Sequence, residues 1–394
     1  MESKSKKLRT GYTTGACAAA AAKAATMLLL QGQVATITSV KIPFPDGNRH
    51  AFSIQHLAFS IQNEKPIATA SVIKDAGDDP DITNGAEIVA EVRLLPLTHP
   101  SPSPRSGGFA EEKRGEGKGE GDQLSFILLK GGRGVGTVTK PGLAVQVGEP
   151  AINPVPRRMI REAVGEALDK YPLPDGQAIE VTISVPNGEE LATRTLNARL
   201  GITGGISILG TSGIVRPLSA EAWTASITAA MDVAIAMGCE EVVLSAGRVS
   251  EKAHMKKYNL PDEAYVMMGD YVEFSLAAAK KHNFKKIHIS AHWAKLLKIA
   301  MRIPQTHVRH GAIDLGQTTL FLNTLLPGLL DPTYEFNTAR EIYDVINSKP
   351  GAQSSEVYFR VCTMAKEYAE GIAADIPVTA HLVSYEGEII AESK

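Results

Sequence analysis

The residues able to do chemistry in this chain of 394 residues gather in a few short stretches. Asp75, Asp78, Asp79 and Asp81 crowd the loop DAGDDPDITNG, residues 75–85. Carboxylates at that density suit a divalent cation, a cationic ligand or a general base, though Asp and Gly belong equally in turns. A second stretch, Gly131-Gly132-Arg133-Gly134-Val135-Gly136, follows a strand-like run, as a dinucleotide fingerprint would. It fails that fingerprint twice. Thr137 stands in the third glycine's place, and VTKPG opens a turn instead of a helix. Four glycines in six residues either let backbone approach a ligand or build a tight turn. Arg133, Arg157, Arg158, Arg194, Arg199 and Arg216 lie in stretches otherwise poor in polar residues. Guanidinium forks pair bidentately with carboxylates, so these would suit a polycarboxylate ligand. The sequence has no H-E-x-x-H, no G-K-[ST] and no G-x-S-x-G, which argues against a zincin, a P-loop enzyme and a serine hydrolase.

Thr13 and Thr14 precede GACAAAAAKAATMLLL and predict a capped helix over about residues 15–30. Lys4, Lys6, Lys7 and Arg9 before this run imitate a secretion signal. Lys23 interrupts the apolar part and no small-x-small cleavage pattern follows, so a folded helix is expected. A hairpin around Pro45-Asp46-Gly47, strands PIATASVIKD and AEIVAEVRLL, strand LSFILLK, a helix to about Lys170 and strand AIEVTISV complete an α+β first domain, residues 1–204. Within it, residues 98–122 (THPSPSPRSGGFAEEKRGEGKGEGD) carry no apolar period and read as a disordered insertion.

From residue 205 strands alternate with helices: ISILG, EVVLS, YVMM and KIHIS, each followed by a helical run. This predicts an α/β Rossmann-like second domain, residues 205–394, with a mainly parallel sheet, a helical segment and a terminal β-hairpin. Ligands of such sheets bind beyond the carboxyl ends of the strands. Those ends carry Gly210-Thr211-Ser212-Gly213, Gly247, Gly269-Asp270 and His292. An acidic side chain after a strand can accept from ribose hydroxyls. Asp270 is so placed, unless it only caps the next helix with Glu273 as its partner.

A net charge of -2 and a pI near 6.6 give no nucleic-acid footprint. Three dispersed cysteines make no disulfide framework or CxxC zinc pair, and point to the cytoplasm. No membrane association is expected, and a homo-oligomer is left open.

LRTGYTTGACAAAAAKAA (8–25), KDAGDDPDITNGAEI (74–88), KGGRGVGTVTKPGLAVQVGEPAINPVPRRMI (130–160) and GGISILGTSGIVRPLS (204–219), taken together, resemble the cobalt-precorrin-5B C(1)-methyltransferase family, CbiD, of anaerobic cobalamin biosynthesis. The resemblance spans nearly the whole chain apart from residues 98–122. It is looser at 244–254 and 290–307, where Ala294 stands in place of an expected glycine and Met301-Arg302 in place of an expected Ala-Gly. The resemblance implies methylation of carbon 1 of a cobalt-bearing tetrapyrrole, with S-adenosylmethionine as donor. Cobalt would arrive with the substrate, and no metal held by the protein is expected. The nucleophile would be the ring carbon itself, with Asp75, Glu149 and His292 as candidates to remove a proton. Donor contacts would fall to Gly210, Thr211, Ser212, Gly213, Gly247, Gly269 and Asp270. Substrate contacts would fall to Thr13, Thr14, Gly131, Gly132, Arg133, Gly134, Gly136, Lys140, Arg157 and Arg216. Gly134→Val should then weaken substrate binding more than folding. The rival readings are a corrinoid carrier without chemistry and a nucleotide-dependent enzyme acting on tetrapyrrole side chains.

Overall fold

The computed structural model describes residues 8–32, 36–96, 126–217, 219–304 and 313–393. The insertion expected at 98–122 lies outside the described residues. The chain is of mixed α/β type, with sheets of mixed orientation. It divides into two compact units, residues 1–140 with 144–219, and residues 141–143 with 220–394.

In the first unit, β1 (Gly11–Tyr12) leads into α1 (Thr14–Gln31), then β2 (Ser39–Pro43), β3 (Arg49–Ser53), β4 (His56–Gln62), β5 (Lys65–Ile73) and β6 (Glu87–Pro96). β7 (Ile127–Gly131), β8 (Gly134–Val135), β9 (Thr137–Val138), α2 (Pro154–Lys170), β10 (Gln177–Ser184) and α3 (Gly188–Ala192) follow. Three two-residue strands, β11 (Ile202–Thr203), β12 (Gly205–Ile206) and β13 (Ile214–Val215), complete it. The main sheet has the order β4-β5-β6-β10-β7, antiparallel except for β10 with β7. Alternate residues Ala68, Ala70 and Val72, Ile88, Ala90 and Val92, and Ile179, Val181 and Ile183 are buried, the period of two that a half-covered sheet demands. α1 packs on β5, β6 and α2. Its alanines from Ala16 to Ala25 are wholly buried because a side chain of one carbon lets a helix lie close on every side. Lys23 leaves this core to reach Glu166, which Arg49 also grips at 2.6 and 2.8 Å.

The second unit contains α4 (Ala220–Ala236), β14 (Glu241–Ser245), α5 (Arg248–Lys257), β15 (Tyr265–Met267), α6 (Val272–Lys281), β16 (Lys286–His292) and α7 (Trp293–Ala300). Then come α8 (Leu315–Leu325), α9 (Ala339–Asn347), α10 (Gly351–Ala373) and the hairpin β17 (Val378–Val383) with β18 (Ile389–Glu392). The sheet order is β15-β14-β16-β17-β18. Every pairing is parallel except β17 with β18.

The division between units falls after Ser219, not after residue 204 as the sequence suggested. The reason is pairing. β12 joins β8, β13 joins β1, and Ile208 bridges Ile152, so ISILG and the Gly210–Gly213 turn belong to the first unit and not to the parallel sheet. No helix among the described residues is long and apolar enough to cross a membrane.

Candidate functional site

Many of the sequence-selected residues form one connected network in the first unit. Thr13 caps α1, its hydroxyl accepting from the Ala16 N–H at 3.2 Å, and its own N–H reaches the Gly213 carbonyl at 3.0 Å. The Thr14 hydroxyl accepts from the Leu209 N–H at 2.9 Å. Gly210 is pressed so closely on Thr13 that a Cβ there would lie 2.4 Å from its side chain. The threonine pair and the GTSG turn, assigned on sequence to different ligands, thus hold each other. Thr13 and Thr14 are buried and their hydroxyls are committed to the fold, while Thr211, Ser212 and Arg216 are exposed.

The acidic loop joins the same network. Tyr12 donates its N–H to the Asp75 carbonyl, and Arg9 grips the Asp75 carboxylate with both terminal nitrogens. The Arg9 guanidinium, with the Gly77 N–H, holds Asp75 below the usual carboxylate range. A base working near neutrality needs a shift the other way. Asp81 takes Lys74 at 2.6 Å and Thr83, and Asp78 accepts from the Arg9 N–H at 2.7 Å. The density of carboxylates therefore has a local architectural use.

The glycine loop is explained by crowding. A Cβ on Gly131 would meet Pro150, on Gly132 the Ser184 hydroxyl, and on Gly136 Ile202. Gly134 has φ +73°, and its Cβ would lie 1.9 Å from the Val185 carbonyl oxygen. The expectation that Gly134→Val would spare folding is overturned by that contact. Only Arg133 stands exposed from the loop with Gly131. Lys140 lies over Gly201 and donates to the Arg199 carbonyl at 3.3 Å.

Glu149 and Arg157, proposed on sequence for separate tasks, pair at 2.7 Å. Arg157 also donates to the Ile152 and Pro150 carbonyls at 2.7 and 3.1 Å, so it clamps the approach to α2. Arg161, one turn further on, escaped the sequence reading. Burial and the neighbouring Arg157 lower its pKa, against the opposing pull of Glu149. Two guanidiniums beside one carboxylate leave an excess of positive charge here. An i, i+4 spacing of arginines after Pro154 was the available signal.

In the second unit the sheet order reverses at β14, which places the topological switch point between the carboxyl ends of β14 and β16. Gly247 lies at one end, with nothing within 4 Å of where a Cβ would point, and α5 starts directly after it. His292 stands at the other, in the N-cap position of α7 without a capping hydrogen bond, and stacks on Tyr385, with ring centroids 5.7 Å apart. Lys295, also missed on sequence, ties these ends together. It donates to the Ala246 carbonyl at 2.7 Å and pairs with Asp270 at 3.0 Å. The N-cap position of α6 falls at Tyr271, and Glu273 accepts from Tyr368, so Asp270 does not form the capping box. Trp223 packs on Gly269, stacks on Tyr271, donates its ring N–H to the Met268 carbonyl at 3.3 Å and remains 43% exposed. Of the three proposed bases, Asp75 and Glu149 lie in the first unit and His292 in the second.

Comparison with known proteins bears on both units. A family profile described as CbiD matches residues 1–217. The chain is 46% identical over 385 residues to a cobalt-precorrin-5B C(1)-methyltransferase of Desulfotalea psychrophila, covering 97% of each chain. It is 44% identical over 400 residues to one from Geobacter metallireducens, covering 98% of each, and 39% identical to one from Priestia megaterium. A crystal structure of a cobalamin biosynthesis protein (cbiD) from Archaeoglobus fulgidus shares 27% identity, with a TM-score of 0.36 over 74% of this chain and 79% of that one. With the profile covering more than half the chain and the curated relatives matching nearly its full length, the chain belongs to the CbiD family.

Proposed function

We propose that the chain transfers a methyl group from S-adenosylmethionine to carbon 1 of cobalt-precorrin-5B, giving cobalt-precorrin-6A. The observation that carries this is a 46% identity sustained over 97% of both chains with a protein named for that reaction. We read the first unit as an α+β domain that receives the tetrapyrrole and the second as a Rossmann-like α/β domain that receives the donor.

The second unit's strand ends suit the donor's adenosine half. The exposed face of Trp223 can take a flat base, the space over Gly247 admits backbone contact, and Asp270 can accept from ribose hydroxyls. A carboxylate has about four lone-pair sites, so pairing with Lys295 does not exhaust Asp270. When bound, S-adenosylmethionine supplies a methyl group already activated by its sulfonium. The chain's part is to position and to exclude water, which can be worth effective molarities of about 10⁵ M or more. Arg133, Arg161 and Arg216 would hold the acetate and propionate arms, with Arg157 and Glu149 fixing the ground beneath them. His292 would take the proton that leaves as the ring carbon changes bonding. Cobalt comes and leaves with the ring.

The deciding experiment incubates the protein with cobalt-precorrin-5B and donor and reads the product by mass spectrometry. A gain of one methyl, dependent on donor, is expected. An unchanged mass, with corrinoid bound and no donor binding by calorimetry, would establish a carrier instead.

A further inference from the structure

One face of the second unit's sheet is unlike the rest of its core. Where α5 lies over it, the buried residues include Ser250 and His254 from the helix and Ser245, His288, Ser290 and His381 from the strands, none more than 3% exposed. Pairing of His288 with Thr379 and of Ser290 with His381 puts both strand histidines on this face. α5 brings His254 against them, with ring centroids 5.0 and 4.8 Å away. One ring nitrogen from each histidine lies within 4.8 Å of the other two.

The hydrogen bonds sort the six ring nitrogens into two sets. His288 Nε2 meets Glu241 at 2.9 Å, His254 Nδ1 meets the Tyr265 hydroxyl at 3.2 Å, and His381 Nδ1 stands 3.3 Å from Glu392. Of the remaining three, His288 Nδ1 and His381 Nε2 are 3.0 Å apart, and His254 Nε2 is wholly buried with no hydrogen-bond partner, as is His381 Nδ1, which Glu392 approaches only to ion-pair distance. Buried polar atoms are rarely left so. A ligating imidazole turns one nitrogen to the metal and has the other held by an oxygen, commonly a carboxylate. That pattern is present at His254 and His288, and Glu392 stands 3.3 Å from His381 Nδ1, close enough to complete it when an ion binds.

We propose that His254, His288 and His381 bind a borderline divalent transition-metal ion, of which zinc is the reference, through His254 Nε2, His288 Nδ1 and His381 Nε2. Metal–nitrogen bonds of about 2.0–2.1 Å place tetrahedral ligand atoms roughly 3.4 Å apart. The closest pair is already near that, and the widest separation needs to close by roughly 1.4 Å at most. The proton now shared between His288 and His381 moves to His381 Nδ1, where Glu392 accepts it. Glu241 keeps the Nε2 proton of His288, and Tyr265 that on His254 Nδ1. The side chains of Glu241 and Glu392 are 38% and 41% exposed, so the site is reached from solvent past two carboxylates, which Lys286 and Lys257 respectively also approach. Because α5 begins directly after Gly247, the ion would brace the edge of the strand-end crevice.

The test uses the full chain, stripped with chelator and titrated with Zn(II), and separately with Co(II). One zinc per chain, a rise in Tm and the intense visible bands of tetrahedral, nitrogen-ligated Co(II) are expected. His254→Gln and His381→Gln should each weaken zinc binding at least 100-fold. His282→Gln, whose ring pairs with Asp232 elsewhere in the unit, should not. Zinc binding that survives both site substitutions, or that is equally lost in His282→Gln, overturns the proposal. Should the site variants fail to fold, the Co(II) spectrum of the unaltered protein decides, and the weak bands of a six-coordinate ion overturn it.

Discussion

Arg302 shows how one residue carries information on both sequence and structure. The family pattern led to the expectation of glycine at this position, and the backbone here has φ +61°, just beyond the end of α7. Helices commonly end on a left-handed residue, where a side chain costs about 1 kcal/mol and glycine does not. Arg302→Gly should therefore raise stability by about 1 kcal/mol, read as a higher urea midpoint at unchanged slope. Gly134→Val should do the reverse, costing several kcal/mol by overpacking and strain, with loss of soluble protein whether or not substrate is present. Lys74 is 2% exposed and is held by Asp81. Burial pushes the Asp81 carboxyl up, but Lys74 and Thr83 together outweigh it and leave it lowered. A lowered folded pKa contributes stability above the unfolded value of about 3.9 and loses it as pH falls through the folded value. Asp81→Asn should strand the buried cation at a cost of about 3 kcal/mol near neutrality and remove that part of the acid limb of a stability–pH curve.

At the scale of elements, α1 was legible because its cap, length and composition all agree. Thr13 is the N-cap in fact, and the helix runs from Thr14 to Gln31. The hairpin β2–β3, the strands around the acidic loop and the terminal β17–β18 hairpin were legible for the same reason, each having a clear period between turn residues. What composition could not reveal is that α1 is buried on all sides. Ala21→Leu should thus cost about 2 kcal/mol in a urea titration, although leucine is an excellent helix former, because the added carbons have nowhere to go. The segment from Gly205 to Val215 was misplaced because two-residue strands have no period to read, and their partners β8 and β1 lie far away in sequence. The histidine group beneath α5 was invisible for a related reason. It is assembled by sheet register from three elements, with no local motif.

For the whole molecule, the contacts among the sequence-selected residues could not be read from the sequence. Several residues first assigned to ligands turned out to hold one another, as Thr13 does Gly210 and Glu149 does Arg157. Lys295 and Arg161 emerged only once the strand ends and α2 were in place. On the proposed function the two units divide the ligands, so substitutions should separate in steady-state kinetics. Arg161→Ala should raise the KM for the tetrapyrrole about tenfold, as loss of a charge-assisted hydrogen bond implies, and leave donor binding unchanged. Asp270→Ala should raise the donor Kd by a similar factor and leave tetrapyrrole binding unchanged. The same shift in both constants from either substitution would sink this division of labour.

The order β15-β14-β16-β17-β18 has a consequence for how the chain is made. Every strand of the first unit has left the ribosome by Val215, so that unit can close while synthesis continues. β16 must wait for β17, which begins only at Val378, and until then its open edge is an adhesive strip on a nascent polypeptide. A stop codon anywhere before the last hairpin would leave a well-formed amino-terminal half joined to a sticky remainder, a species for proteases and chaperones rather than a weaker enzyme.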